Sequence, residues 1–153
     1  MTLNPRSKMK LIKNNPVMSR PVFLIGILIL SFLGFLDSAY LTILHYRNSL
    51  PPCSINFGCE KVLTSAYSTL GPMPLALFGV IFYLAVIALS LILITNYKKK
   101  YLNILYPLIF VGFIISVVLF GVQAFILHSF CQYCIFSEII SSVLLILVFL
   151  KFR

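Results

Sequence analysis

Four apolar runs, each long enough to cross a lipid bilayer, confine this chain to a membrane. A helical span needs about 20 apolar residues, because each residue rises about 1.5 Å and the hydrocarbon core is about 30 Å thick. The runs cover residues 21–46, 75–95, 102–127 and 133–150. Hydrophobic residues make up 61% of the chain and only three side chains are acidic, too little polar surface for a water-soluble fold of 153 residues. The first run follows a basic leader, as a cleaved signal does, but far exceeds the apolar segment of about 7–15 residues in such signals. It is expected to persist as a span. The expected fold is an all-α integral membrane protein: a four-transmembrane-helix bundle formed by residues 21–153, preceded by a flexible basic tail over residues 1–20.

The basic residues set the orientation, since cytoplasmic segments beside membrane spans carry the excess of Lys and Arg. Arg6, Lys8, Lys10, Lys13, Arg20, Lys98, Lys99, Lys100, Lys151 and Arg153 share one side of a four-span topology, against Arg47 and Lys61 on the other. Both termini are therefore expected in the cytoplasm, with the 47–74 loop outside. The net charge of +9 serves this topology and attracts anionic lipid. Dispersed along span-flanking segments, the charges form no nucleic-acid patch.

The outer loop opens with Leu50-Pro51-Pro52 and closes with Gly71-Pro72-Met73-Pro74, both of which interrupt a helix. Between them Val62, Leu63, Ala66 and Leu70 recur on one helical face, predicting a short surface helix. Cys53 and Cys59 lie in this loop, and Cys131 and Cys134 lie where the fourth span begins, so the topology gathers all four thiols at one outer, oxidising surface.

Cys131-Gln132-Tyr133-Cys134 has the C-x-x-C spacing at a helix start, where unpaired N–H groups and the dipole favour thiolate. The thiolate is the nucleophile of disulfide exchange, so this pair reads as redox-active. Two other readings compete. A closed zinc cage takes four cysteines, although the wider Cys53/Cys59 spacing and oxidising surroundings weigh against it and no metal is expected. Static disulfides stapling the loop to the bundle would instead make a non-enzymatic membrane scaffold or transport subunit.

From about Gly34 to Ser142 the chain resembles the vitamin K epoxide reductase family in its bacterial and archaeal form. The resemblance rests on Asp37-Ser38-Ala39-Tyr40-Leu41, on Cys53 and Cys59 with Ser65 six residues on, and on Pro74-Leu75-Ala76-Leu77-Phe78-Gly79 followed by Tyr83. It ends with Cys131-Gln132-Tyr133-Cys134 and Ser137. It implies a quinone of the ubiquinone, menaquinone or vitamin K type held in the bundle near Cys134, with Cys53 and Cys59 as a shuttle in the loop. It also implies a prokaryotic inner membrane and, on its outer face, a thioredoxin-like partner, fused in many relatives and expected here as a separate protein. The implied activity is quinone-coupled oxidation of that partner for disulfide bond formation. Vertebrate members carry a tyrosine four residues after the C-x-x-C pair, where this chain has Glu138. That departure bears on epoxide chemistry more than on quinone reduction.

Asp37 and Glu138 are the acids inside spans, where an ionisable side chain is costly unless paired, wet or protonated. Glu138 follows Cys134 by one turn and shares its face, a position from which it contacts a quinone or passes it a proton. The plainer alternative ties Glu138 to Ser137, Gln123 or backbone, and Asp37 to a neighbouring helix or the loop. Ser65 is a supporting candidate through the resemblance. His45 and His128 fall at the outer interface, and Gly79, Gly112 and Ser116 read as close helix packing.

Overall fold

The structure, a computed structural model, describes residues 20–53, 58–96 and 98–152. The tail expected over residues 1–20 lies outside these except for Arg20. Helix α1 spans Arg20–Tyr46, a short α2 spans Cys59–Leu63, and a two-residue hairpin pairs β1 (Thr69–Leu70) with β2 (Met73–Pro74). Helices α3 (Leu75–Thr95), α4 (Lys99–Gly121, continued by a π-helical turn over Val122–Leu127) and α5 (Gln132–Phe152) follow. Among the described residues four helices are long and apolar enough to cross a membrane, and the chain is a multi-pass membrane protein. In lipid every backbone N–H and C=O must be satisfied within the fold, which long helices do by themselves.

Helix α1 packs along α3 and α5, and α4 packs along α5 and α3, giving the order α1, α3, α4, α5 around the bundle. Each helix turns a narrow stripe inward. Leu102, Leu105 and Ile109 of α4 and Ile140, Leu144 and Val148 of α5 recur at three- and four-residue intervals and are buried with Phe23, Leu24 and Ile27 of α1 and Val86 and Leu93 of α3. These residues come from the start of α1 and α4 and the end of α3 and α5, so the dense core fills the half of the bundle remote from the cysteines. Phe32, Ile43, Ile81, Phe110, Val118, Ile139 and Phe149 point outward and are exposed, as lipid-facing residues are.

Small residues bring the helices close. A Cβ on Gly34 would lie 2.4 Å from the Tyr83 ring, one on Gly79 2.7 Å from Ser38 Oγ, and one on Gly112 2.4 Å from the Phe82 ring. Gly79 and Gly112 thus serve the packing role expected of them.

The loop departs from expectation in detail. The surface helix stops at Leu63 instead of carrying its apolar face to Leu70. Hydroxyls end it: Thr64 Oγ1 donates to the Glu60 carbonyl at 2.7 Å and Ser65 Oγ to the Val62 carbonyl at 2.7 Å, competing with continuation of the helical ladder. Gly71, at φ 64°, then supplies the left-handed turn that folds Leu70 back on Met73. The third span reaches Leu127 as expected, with its last turn π-helical over Val122–Leu127 until His128, at φ 46°, stops it.

Candidate active site

All four cysteines converge at one end of the bundle. Cys53 and Cys59 form a disulfide whose Cα atoms are 6.3 Å apart, while Cys131 and Cys134 are free thiols. Cys59, Val62 and Cys131 make one buried cluster, against which Cys53, Leu63, Leu127, Tyr133 and Cys134 pack. Within each pair the burial is unequal. Cys59 and Cys131 are 1% and 0% exposed, whereas Cys53 and Cys134 are only partly buried.

The head of α5 shapes the surroundings of Cys131. Its carbonyl accepts the first helical bond, from Ile135 N at 2.9 Å, which puts Cys131 at the helix start. A hydrogen bond from the Cys134 side chain, opposed by burial and assisted by the backbone N–H groups of Cys134 and Tyr133, lowers the Cys131 thiol below its ordinary value. Thiolate at Cys131 is thus favoured by the C-x-x-C spacing itself.

The loop is fastened over this helix head at both sides of the disulfide. Before Cys53, the Pro52 carbonyl accepts hydrogen bonds from Tyr133 OH at 3.1 Å and Gln132 Nε2 at 3.3 Å. Before Cys59, Gly58 N donates to the Phe130 carbonyl at 3.0 Å. A Cβ on Gly58 would stand 2.8 Å from Ser129 Cβ, so glycine is what permits this approach. Tyr133 also packs its ring on Tyr40 of α1, with centroids 5.6 Å apart.

Beneath the cysteines, between their cluster and the dense core, lies a cavity of about 450 Å³. Cys134 opens onto it, whereas Cys53, Cys59 and Cys131 do not line it. Asp37 and His45 of α1, Ser65 of the loop, Tyr83 of α3, Gln123 of α4 and Glu138 of α5 contribute polar groups to a mainly apolar wall. Ser65, whose hydroxyl donates to the Val62 carbonyl in the last turn of α2, faces the cavity beside these groups.

Gln123 ties the site together. Its Oε1 accepts the Cys131 N–H at 2.9 Å, and its Nε2 donates to Glu138 Oε1 at 2.7 Å. Ser129 N reaches the Gln123 carbonyl at 3.1 Å, so the π-helical turn positions both the side chain and the outer turn. Glu138 is therefore bonded to Gln123, one of the partners anticipated for it, but its Oε2 is buried without a protein partner among the described residues. Asp37 Oδ2 and Ser141 Oγ are likewise unpartnered, and all three residues line the cavity. Tyr83, in the notch left by Gly34, shares a 2.8 Å hydrogen bond with Ser137 Oγ and donates to the Ser137 carbonyl at 3.1 Å.

Sequence reasoning brought forward the four cysteines, Asp37, Ser65 and Glu138, and all of them lie at the cysteine cluster or the cavity below it. It missed the fastening of Pro52 by Gln132 and Tyr133, whose partners lie 80 and 81 residues away in the chain. It also missed the bond from Gln123 to the Cys131 backbone; a glutamine in an apolar run was the one available signal. Among known protein families, the model described as the vitamin K epoxide reductase family matches residues 25–149, a stretch that holds all four helices' central segments and all four cysteines. No curated protein matches the chain as a significant relative.

Proposed function

Because the chain belongs to the vitamin K epoxide reductase family, an oxidoreductase family associated with quinones, we propose that it is a quinone-dependent oxidase of a separate thioredoxin-like protein, serving disulfide bond formation. The observation that carries this reading is the unequal burial of the two cysteine pairs: Cys53 is the more accessible thiol of the loop, Cys59 and Cys131 share a buried cluster, and Cys134 opens onto the cavity. That order gives electrons one direction of travel.

A thiolate of the reduced partner attacks Cys53 Sγ, forming a mixed disulfide and releasing Cys59 as thiolate. Cys59 then attacks Cys131 Sγ of an oxidised Cys131–Cys134 pair, and Cys134 leaves as thiolate. The partner's second thiol resolves the mixed disulfide and frees Cys53. Cys53 then attacks Cys59, restoring the loop disulfide and leaving Cys131 and Cys134 as the reduced pair. That final state has the thiol arrangement described above, with Cys53 bonded to Cys59 and the other two free.

The cavity fits a quinone head group. Its volume falls within the range of about 300–1,000 Å³ usual for small-molecule sites, and its wall is apolar with a few polar groups lacking protein partners. A quinone bound there supplies the oxidant, taking up two electrons and two protons as the Cys131–Cys134 disulfide re-forms. Cys134 lies at the cavity wall, Glu138 offers Oε2 one turn below it, and Asp37 offers Oδ2 from α1. The dense core lies on the cavity's other side. With both termini cytoplasmic, the site faces the oxidising compartment where the partner's substrates fold.

The test is anaerobic mixing of the purified protein with a reduced thioredoxin-like protein and ubiquinone or menaquinone, following quinone absorbance. One quinone is expected to be reduced per partner disulfide formed. No reduction of either quinone contradicts the proposal. Static disulfides joining the loop to the bundle are disfavoured, since the disulfide present closes within the loop.

A further inference from the structure

The two residues between Cys131 and Cys134 do more than space the thiols. We propose that Gln132 and Tyr133 are positioning residues, which grip the Pro52 carbonyl and thereby hold the loop disulfide in register with Cys131. The inference rests on the relay under "Proposed function" and deepens it by naming what aligns its two halves.

Geometry carries it. Both side chains donate to a single acceptor, the carbonyl directly before Cys53, at 3.1 and 3.3 Å. The other cysteine of the disulfide is held by Gly58 N on the Phe130 carbonyl at 3.0 Å and by burial of Cys59 and Val62 against Cys131. Cys53 and Cys59 thus each follow directly on an anchor, the first set by Gln132 and Tyr133 at the start of α5 and the second by Phe130 just before it. A proline at 52 suits this use, because it fixes the backbone φ and leaves a carbonyl but no N–H to pair. Tyr133 is itself steadied by the Tyr40 ring of α1, so the grip is referred to the bundle and not to the loop.

Its consequence is kinetic and thermodynamic at one bond. The transfer from Cys59 to Cys131 forms a Cys59–Cys131 bond and breaks Cys131–Cys134, with Cys134 leaving as thiolate. An intramolecular exchange of this kind proceeds in proportion to the effective concentration of one sulfur at the other. Anchors that hold the loop over Cys131 raise that concentration; removing them lets the loop sample other positions. A hydrogen bond of ordinary net strength corresponds to about a fivefold effect in an equilibrium.

The test isolates that equilibrium. In a Cys53→Ser/Cys134→Ser protein only Cys59 and Cys131 remain, and the fraction bridged between them is measured by thiol blocking and mass spectrometry across a series of glutathione redox buffers. Adding Tyr133→Phe, which keeps the ring on Tyr40 and removes the donor, is expected to lower the effective concentration about fivefold, and adding Gln132→Ala as well to lower it further. Helix content and elution volume report that the fold is intact. A variant that fails them is replaced by Gln132→Ala alone, for which about a fivefold loss is expected. Bridging equal to the parent in correctly folded variants overturns the positioning role while leaving the relay standing. Absence of any Cys59–Cys131 bridge in the parent itself overturns the relay, and the positioning role with it.

Discussion

Gln123 is a single buried amide with both ends committed: its oxygen receives the Cys131 N–H and its nitrogen serves Glu138. Replacement by Leu leaves a backbone donor and a carboxyl without partners, and each orphaned buried group costs about 1–3 kcal/mol. A Gln123→Leu protein is expected to melt several degrees lower in detergent, and an unchanged melting temperature would show that water replaces the amide. Glu138 asks a different question, because its Oε1 is tied and its Oε2 is free toward the cavity. Glu138→Gln keeps the shape and the acceptor for Gln123 but removes the exchangeable acid proton. If Glu138 delivers protons, quinone reduction slows and its pH dependence flattens while exchange between the partner and Cys53 continues; an unchanged rate leaves Glu138 a tie to Gln123 alone. The acid one turn after Cys134 was legible in sequence, and so was Gln123 as a partner for it. The Cys131 N–H was not, since no local pattern announces a hydrogen bond from a helix head to a side chain on the preceding span.

Between elements, α1 and α3 approach closely where the Tyr83 ring occupies the space a Gly34 side chain would need. Gly34→Ala brings a Cβ to 2.4 Å of that ring, and overpacking of this kind costs about 1–3 kcal/mol. The gain in helix propensity, at most about 1 kcal/mol, does not offset it. Gly26 in the same helix has Leu147 Cδ1 as its nearest prospective neighbour, at 3.9 Å, so Gly26→Ala gains propensity without a clash. Thermal unfolding in detergent should therefore separate the two glycines, with Gly34→Ala lowered and Gly26→Ala unchanged or raised. Equal effects would mean that α1 and α3 part readily. The four long helices were readable because length and apolarity are imposed by the bilayer, and α3 begins and ends where the sequence placed it, at Leu75 and Thr95. The loop was less readable, because a five-residue helix has too little periodicity to mark its end. There Thr64 and Ser65, through bonds to carbonyls of the preceding turn, decide the matter locally.

Across the whole molecule, the proposed function rests on a division of the bundle into a dense half and a hollow half capped by thiols. By the charge pattern the thiol half is expected outside. A membrane-impermeant cysteine label applied to intact cells after reduction is expected to reach Cys53 or Cys59; labelling only after the inner face is opened would reverse the orientation. The relay makes the most demanding claim, because it requires a covalent bond between two pairs that are separate at rest. Replacing Cys134 by Ser removes the thiol that normally reverses the Cys59–Cys131 step, so this bridge should become long-lived. Mass spectrometry of non-reduced, thiol-blocked membranes carrying Cys134→Ser is the most direct measurement: the account predicts a Cys59–Cys131 peptide pair, and a Cys53–Cys131 pair, or cysteines that never exchange across the two pairs, would contradict it.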